Sequence, residues 1–151
     1  MWWWNIKNGT FNMTKGSFSN NSASTTNGNK IYGGALYIDS CVVSIENANF
    51  SGNSVSATNT ECYGGAIYII NSGNDTSPAM IYNCTFTNNT AYQRGAAIYT
   101  GGTSYIEINN CIFTGNTLSN VESHDVYIGN TGGTTKINGS AMTEAWTSSS
   151  N

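Results

Sequence analysis

Residues 86–99 read Phe86-Thr87-Asn88-Asn89-Thr90-Ala91-Tyr92-Gln93-Arg94-Gly95-Ala96-Ala97-Ile98-Tyr99, and this stretch decides the fold because the chain repeats it. Its Phe-x-x-Asn head recurs as Phe18-Ser19-Asn20-Asn21, Phe50-Ser51-Gly52-Asn53 and Phe113-Thr114-Gly115-Asn116. Its Gly-type run recurs as Gly33-Gly34-Ala35-Leu36-Tyr37, as Gly64-Gly65-Ala66-Ile67-Tyr68, and as a worn copy, Ser123-His124-Asp125-Val126-Tyr127. The starts at 33, 64, 95 and 123 are 31, 31 and 28 residues apart. A fixed period of this size marks stacked repeats, in which each unit buries its apolar face only against its neighbours.

Between these signals lie short β-branched and aromatic runs bounded by Gly, Asn and Ser, the pattern of strands. Two or three strands per unit with no helix predict an all-β chain, a right-handed parallel β-helix of about four coils. Like strands of successive coils would then pair about 4.8 Å apart. The boundaries expected are an N-terminal cap or remnant strand over 1–16, β-helix repeats over 17–130 and a C-terminal strand or tail over 131–151.

Stacking gives the repeated residues physical tasks. Phe18, Phe50, Phe86 and Phe113 should form an internal column, each buried ring worth about 2–3 kcal/mol. Leu36, Ile67, Ile98 and Val126 share one strand position; Ile38, Ile69, Thr100 and Ile128 share the next of the same parity, which predicts an inward face. Val43, Ile45, Met80 or Ile81, Ile106 and Ile108 come from the preceding strands. Asn21, Asn53, Asn89 and Asn116 fall where the chain must turn. There an amide can donate to one coil, accept from the other and tolerate a left-handed backbone. Gly33, Gly34, Gly64, Gly65 and Gly95 allow a tight corner. On this parity Tyr37, Tyr68, Tyr99 and Tyr127 point outward as an exposed stripe, a candidate contact surface; the opposite parity would make them core. Loops of variable length over 22–32, 54–63, 90–94 and 117–122 are places for recognition or neutral drift.

The pairing of Phe-x-x-Asn with Gly-Gly-Ala-(Ile/Leu) resembles the repeats of the polymorphic outer membrane protein family. It is also similar to adhesin-like surface proteins that share the pectate-lyase-like β-helix. The resemblance covers about residues 17–128. It implies a segment of a surface-displayed stalk used in adhesion. The chain departs from that pattern in three places: it has no long C-terminal block to form a membrane barrel, Ala96 replaces a glycine, and Ser123-His124 replaces a glycine pair.

Composition limits the partners. Only 9% of residues are charged and the net charge is −3, with five Lys or Arg scattered singly. Nucleic acid is therefore excluded as an expected partner, and no apolar run is long enough to span a membrane. Met1-Trp2-Trp3-Trp4-Asn5 is too short for a signal-peptide core, so the chain reads as a piece of a longer protein; Trp2–Trp4 are candidates to plug one end.

The acids Asp39, Glu46, Glu61, Asp75, Glu107, Glu122, Asp125 and Glu144 do not coincide in repeat phase. No motif of converging carboxylates for calcium or paired carboxyls for hydrolysis emerges. Arg94, the sole arginine, reads as a surface ion-pair partner of Glu61, and His124, the sole histidine, as solvent-facing. Cys84 and Cys111 share a phase two residues before Phe. They are candidates for a disulfide or for two buried thiols in a column; Cys41 and Cys62 differ in phase. No CxxC or His partner supports zinc. Thr85, Thr100 and Thr103 do not line up as an ice-binding face would require. The Asn-x-Ser/Thr triplets matter only in an exported eukaryotic protein.

The sequence thus predicts a non-catalytic cell-surface or extracellular module for adhesion or loop display. It would have no cofactor, would not insert into a membrane, and would meet a protein or glycan on a host or neighbouring cell. The rival is a carbohydrate-binding or carbohydrate-active β-helix.

Overall fold

The computed structural model describes residues 4–57, 60–119 and 124–148. All regular elements among them are strands, arranged as a parallel β-solenoid. Sheet A joins Trp4–Lys7, Leu36–Asp39, Ile67–Ile70, Ile98–Gly102 and Val126–Asn130. Sheet B joins Thr10–Met13, Val42–Glu46, Ala79–Tyr82, Tyr105–Asn109 and Thr134–Ile137. Sheet C contains the Phe strands Gly16–Ser19, Ala48–Ser51, Thr85–Thr87 and Ile112–Thr114. Sheet D contains Ser22–Thr25, Ser54–Ala57, Thr90–Ala91 and Thr117–Leu118. A small fifth sheet pairs Ile31–Tyr32 with Cys62–Tyr63.

The chain visits A, B, C and D in order, four times over, and then A and B once more. Trp4–Lys7 and Thr10–Met13 belong to the stack, and Thr134–Ile137 extends it beyond residue 130. Register is kept throughout: Leu36, Ile67, Ile98 and Val126 are successive partners in sheet A. Phe18, Phe50, Phe86 and Phe113 are partners in sheet C. Inward residues of A, B and C share one apolar core, and Ala23, Val55, Ala91 and Leu118 of sheet D centre a second.

Left-handed residues mark the corners of each winding, where Asn and Gly carry the smallest steric cost. Between B and C these are Asn47, Asn83 and Asn110, with φ of 53°, 53° and 52°; Asn138, with φ of 48°, follows the last B strand and turns the chain into its antiparallel partner Ser140–Met142. Between C and D they are Asn20, Gly52, Asn88 and Gly115, with φ of 56°, 63°, 55° and 65°. The left-handed residue is thus the third of Phe-x-x-Asn. The fourth, the ladder Asn to which the sequence assigned that conformation, is absent from the positive-φ set. The corner therefore divides the work: one residue bends the chain and the next ties the windings together.

Gly33 and Gly64 show why the Gly runs are constrained. Both have φ of 71°, and a Cβ would stand 2.1 Å from the Leu36 carbonyl oxygen or 2.3 Å from that of Ile67. In the worn copy His124 does what a backbone carbonyl does elsewhere. Gly33 and Gly64 donate to the carbonyls of Tyr63 and Arg94, whereas Gly95 donates to His124 Nδ1 at 3.3 Å. His124 is therefore half-buried and bonded, not simply solvent-facing. Burial pushes its imidazole pKa down, in keeping with a neutral ring that accepts. Ser123 and Glu122 lie outside the described residues.

The two ends of the stack differ. At the C-terminal end Ser140–Met142 pairs antiparallel with Thr134–Ile137, which stops the parallel ladder. The following residues run back, so that Trp146 bridges Val126 and sets its ring edge-on to Phe113 at 5.3 Å and 70°. At the N-terminal end Trp4 meets Phe18 at 6.0 Å and 87°. Trp2 and Trp3 lie outside the described residues.

Candidate functional site

The internal ladders come first, because they hold everything outside them. Adjacent Phe rings are nearly coplanar in stacking, with centroids 5.3, 4.9 and 4.9 Å apart and interplanar angles of 7°, 4° and 8°. Isolated aromatic pairs often choose an edge-on arrangement. Here the strand spacing of about 4.8 Å imposes the stack.

The Asn ladder has a direction. Asn53 Oδ1 accepts from the main chain and amide of Asn21 at 3.1 and 2.8 Å. Asn89 Oδ1 accepts likewise from Asn53 at 3.0 and 3.0 Å, and Asn116 Oδ1 from Asn89 at 3.0 and 3.0 Å. The amides of Asn53, Asn89 and Asn116 also donate to the carbonyls of Phe18, Phe50 and Phe86 at 2.9, 3.0 and 3.0 Å.

Past Asn116 there is no fifth ladder Asn, and Asp125 ends the chain of amides. Only 5% exposed, it sits in register with the small residues Ala35, Ala66 and Ala97. Its carboxylate accepts from Asn116 Nδ2 and from the main chain and hydroxyl of Ser148, each at 2.8 Å. Sequence reading passed over this residue because it breaks the repeat. Asp125→Ala is expected to leave these donors without their acceptor and to destabilise the protein by about 2–3 kcal/mol. Chemical denaturation checks the magnitude, and limited proteolysis should cut the tail near Ser148 much faster than in the parent. Asp125→Asn, which keeps an acceptor, should lose less.

The thiols are free. Cys84 and Cys111, candidates for a disulfide, instead sit just after left-handed Asn83 and Asn110. Each points its sulfur at two carbonyls, Tyr82 and Ile45 for Cys84 at 3.2 and 3.7 Å, Asn109 and Ile81 for Cys111 at 3.4 and 3.6 Å. Cys41 repeats this geometry at another corner, with Asp39 and Ile6.

The tyrosine stripe needs a correction. Tyr37, Tyr68, Tyr99 and Tyr127 do alternate with the inward residues of sheet A, and they stack at 5.3, 4.9 and 5.6 Å. They do not form an exposed stripe. Tyr68 and Tyr99 are only 9% and 8% exposed. The small fifth sheet covers them: Tyr32 stacks on Tyr68 at 4.5 Å and Tyr63 on Tyr99 at 4.8 Å. Tyr37, Tyr127 and Tyr32 remain half-buried. Tyr32 and Tyr63 share a phase, each just before its Gly run, but Arg94 holds that place in the third copy, and phase alone did not show that the two rings fold over the strand tyrosines.

Cations close this outer cluster. Lys7 lies 5.1 Å over the Tyr37 ring, and Arg94 lies 5.4 Å from Tyr63 and 4.7 Å from Tyr127. Such contacts contribute about 0.5–1 kcal/mol at exposed sites. The ion pair expected between Arg94 and Glu61 does not form. Glu61 takes Lys30 at 2.7 Å and the Tyr32 hydroxyl at 3.0 Å. The hydrogen bond from Lys30 leads the effects that hold its carboxyl below the usual range.

Burial raises the phenols of Tyr32, Tyr37, Tyr63, Tyr68 and Tyr99 above 10.0, and Glu61 adds to the rise at Tyr32. A phenol raised in the folded state favours folding in full below its unfolded pKa. That contribution is lost as pH rises above about 10. Absorbance of phenolate, followed with far-ultraviolet dichroism, should show these rings ionising together with loss of strand signal. A smooth titration centred near pH 10 on an intact fold would contradict the covered stack.

Three more carboxylates have structural partners too. Asp39 accepts from Ser40 and Asn71, Glu46 from Tyr82, and Glu107 pairs with Lys136 at 3.2 Å. No group of three or more His, Cys, Asp or Glu is placed to hold a metal among the described residues. Outside sheet C, Ser19, Ser51, Thr87 and Thr114 do share one register column. The column beside it, Ser17, Asn49, Thr85 and Ile112, is chemically mixed.

These features define a class: a parallel β-solenoid held by in-register Phe and Asn ladders, with a covered tyrosine stack on one flank. Residues 83–101 match the Chlamydia polymorphic membrane protein repeat. That stretch carries Phe86, Asn89, Arg94 and Gly95, the part of one winding that runs from a left-handed corner through sheets C and D into sheet A. The chain thus carries a polymorphic membrane protein repeat on a β-solenoid. No curated protein and no solved structure matches it.

Proposed function

We propose that this chain is a non-catalytic, adhesin-like module at a cell surface that holds loops at fixed spacing for a protein or glycan on another cell. The observation that carries this reading is the repeat match at 83–101 on a solenoid whose register is kept from end to end. The family name itself implies an outer-membrane or surface location. A stiff ladder with loops of unequal length on one side separates support from recognition.

One further feature favours display over turnover: Asp39, Glu46, Glu61, Glu107 and Asp125 are all engaged in structural bonds.

The test is adhesion of beads coated with the chain to cultured epithelial cells, against albumin-coated beads. Adhesion above albumin, reduced when residues 26–30 are replaced by a Gly-Ser turn, supports the reading. Adhesion equal to albumin contradicts it. Product released from a polysaccharide panel would contradict its non-catalytic part in favour of the carbohydrate-active rival.

A further inference from the structure

We propose that Asn27 is a site of spontaneous deamidation, its side-chain amide giving way to aspartate and isoaspartate, while the solenoid keeps the two other Asn-Gly pairs of the chain intact.

Asn-Gly occurs as Asn8-Gly9, Asn27-Gly28 and Asn138-Gly139. A glycine after asparagine leaves the next main-chain nitrogen unshielded, since no Cβ stands beside it. That nitrogen, on giving up its proton, attacks Asn Cγ. The N–Cγ bond forms, the Cγ–Nδ2 bond breaks, and the amide leaves as ammonia with the proton returned through water. A second water then opens the five-membered imide. Opening at Cγ gives aspartate, and opening at the main-chain carbonyl gives isoaspartate. An attack within the chain is fast only where the backbone can reach the reacting geometry. Here that means rotation about the Asn Cα–C bond, which swings the Gly nitrogen toward Cγ.

Two of the pairs lack that freedom. Asn8 and Asn138 are left-handed, with φ of 53° and 48°. The Asn8 N–H donates to the Asp39 carbonyl at 3.1 Å, and the Gly9 carbonyl accepts from the Val42 N–H at 2.9 Å. The Asn138 N–H donates to the Ile108 carbonyl at 2.9 Å, and its Oδ1 accepts from the Asn110 N–H at 2.9 Å. Pairing of Ile137 with Ser140 holds that turn on both sides. Rotation at either asparagine would break these bonds.

Asn27-Gly28 is placed differently. It is exposed, lies between strands Ser22–Thr25 and Ile31–Tyr32, and Asn27 is not left-handed. Among the described residues no hydrogen bond holds the Gly28 main chain, and a Cβ there would meet nothing within 4 Å. The Thr26 hydroxyl donates to Asn27 Oδ1 at 3.3 Å, the atom on which negative charge grows during the attack. Conversion adds one negative charge to a chain of net charge −3, close in sequence to Lys30 and its pair with Glu61. Isoaspartate also inserts a methylene into the main chain. Residues 26–30, a recognition loop on the display reading, are thus remodelled as the protein ages; the chemistry itself does not depend on that reading.

Trypsin separates the three sites, because cuts after Lys7, Lys15, Lys30 and Lys136 leave Asn8, Asn27 and Asn138 in different peptides. The intact chain is held for days at body temperature and mildly alkaline pH, folded in buffer or unfolded in concentrated urea, with a fresh sample to subtract conversion during digestion. Mass spectrometry with electron-transfer fragmentation locates each exchange of NH2 for OH. Isoaspartate methyltransferase with labelled S-adenosylmethionine reads the isoaspartate. Rates in buffer are taken only while far-ultraviolet dichroism keeps its strand signal. In the folded chain Asn27 should convert at least tenfold faster than Asn8 or Asn138, and in urea the three rates should converge. Thr26→Ala should slow Asn27 several-fold, and Asn27→Gln should remove most of the methyl label from folded chain. An Asn27 amide that persists as long as those of Asn8 and Asn138, or an equal spread of rates in urea, overturns the proposal. An undiminished rate in Thr26→Ala overturns the part given to the hydroxyl.

Discussion

Truncating Asn89 to alanine is expected to lower the unfolding free energy by about 4 kcal/mol, among the largest single losses available in this chain. Asn89 is fully buried, and its amide makes four side-chain bonds that bridge three windings. Alanine leaves the Asn53 main-chain N–H and the Phe50 carbonyl without that partner, in a place water does not reach. A buried donor or acceptor left unpaired costs about 1–3 kcal/mol. Asn89→Asp should not rescue, because an ionised carboxylate accepts but cannot donate to Phe50 or Asn116. Asn12→Ala, on the exposed face of sheet B, should stay within about 0.5 kcal/mol of the parent. Urea denaturation of the three variants measures all of this. Equal small losses at Asn89 and Asn12 would mean that the ladder is not a bonded column.

The second large effect is at Phe86. Phe86→Ala is expected to cost about 3–5 kcal/mol, the range for deleting a fully buried aromatic ring. Both faces of the ring are occupied, by Phe50 and by Phe113, each at 4.9 Å. A cavity there would be walled by rings that the backbone holds at fixed spacing, so collapse gives little relief. The Phe column should therefore show a gradient. Phe50→Ala should match Phe86→Ala, and Phe18→Ala should cost less, because that ring is half-buried and, among the described residues, has the edge of Trp4 and no stacked phenylalanine on its outer side. A flat series of losses along the column would contradict stacking, whatever its mean.

The residues that repeat were legible because stacking converts sequence period directly into contact. Phe18, Phe50, Phe86 and Phe113, and the four ladder Asn residues, keep one phase and meet in space. The third position of the motif, alternately Asn and Gly, signalled the left-handed corner equally well, but the reading placed that role one residue later. Less was legible elsewhere. Tyr32 and Tyr63 keep one phase just before the Gly runs, but Arg94 takes that place in the third copy, and the strand pattern did not say that the two rings would cover Tyr68 and Tyr99. Asp125 and His124 looked like decay of a Gly-Gly-Ala copy. In the structure each completes hydrogen bonds left over where the repeat stops. Thr134–Ile137 is not followed by a Phe-x-x-Asn as the earlier sheet B strands are, yet it extends sheet B, because strand pairing needs register and not the motif.

The candidate site was half legible for the same reason. Alternation placed the four strand tyrosines outside the core, and the cover decided how much of them a ligand can reach. Arg94 was read by charge alone, as a partner for Glu61. Its position over Tyr63 and Tyr127 depends on two loops that come together only in the folded solenoid.

The most direct test of in-register stacking is ring-to-ring nuclear Overhauser spectroscopy on chain labelled only at phenylalanine. Cross-peaks should link Phe18 with Phe50, Phe50 with Phe86, and Phe86 with Phe113, at centroid spacings of 5.3, 4.9 and 4.9 Å, with no peak between Phe18 and Phe86. Missing neighbour peaks, or a peak joining Phe18 directly to Phe86, would contradict the stack and every role built on it.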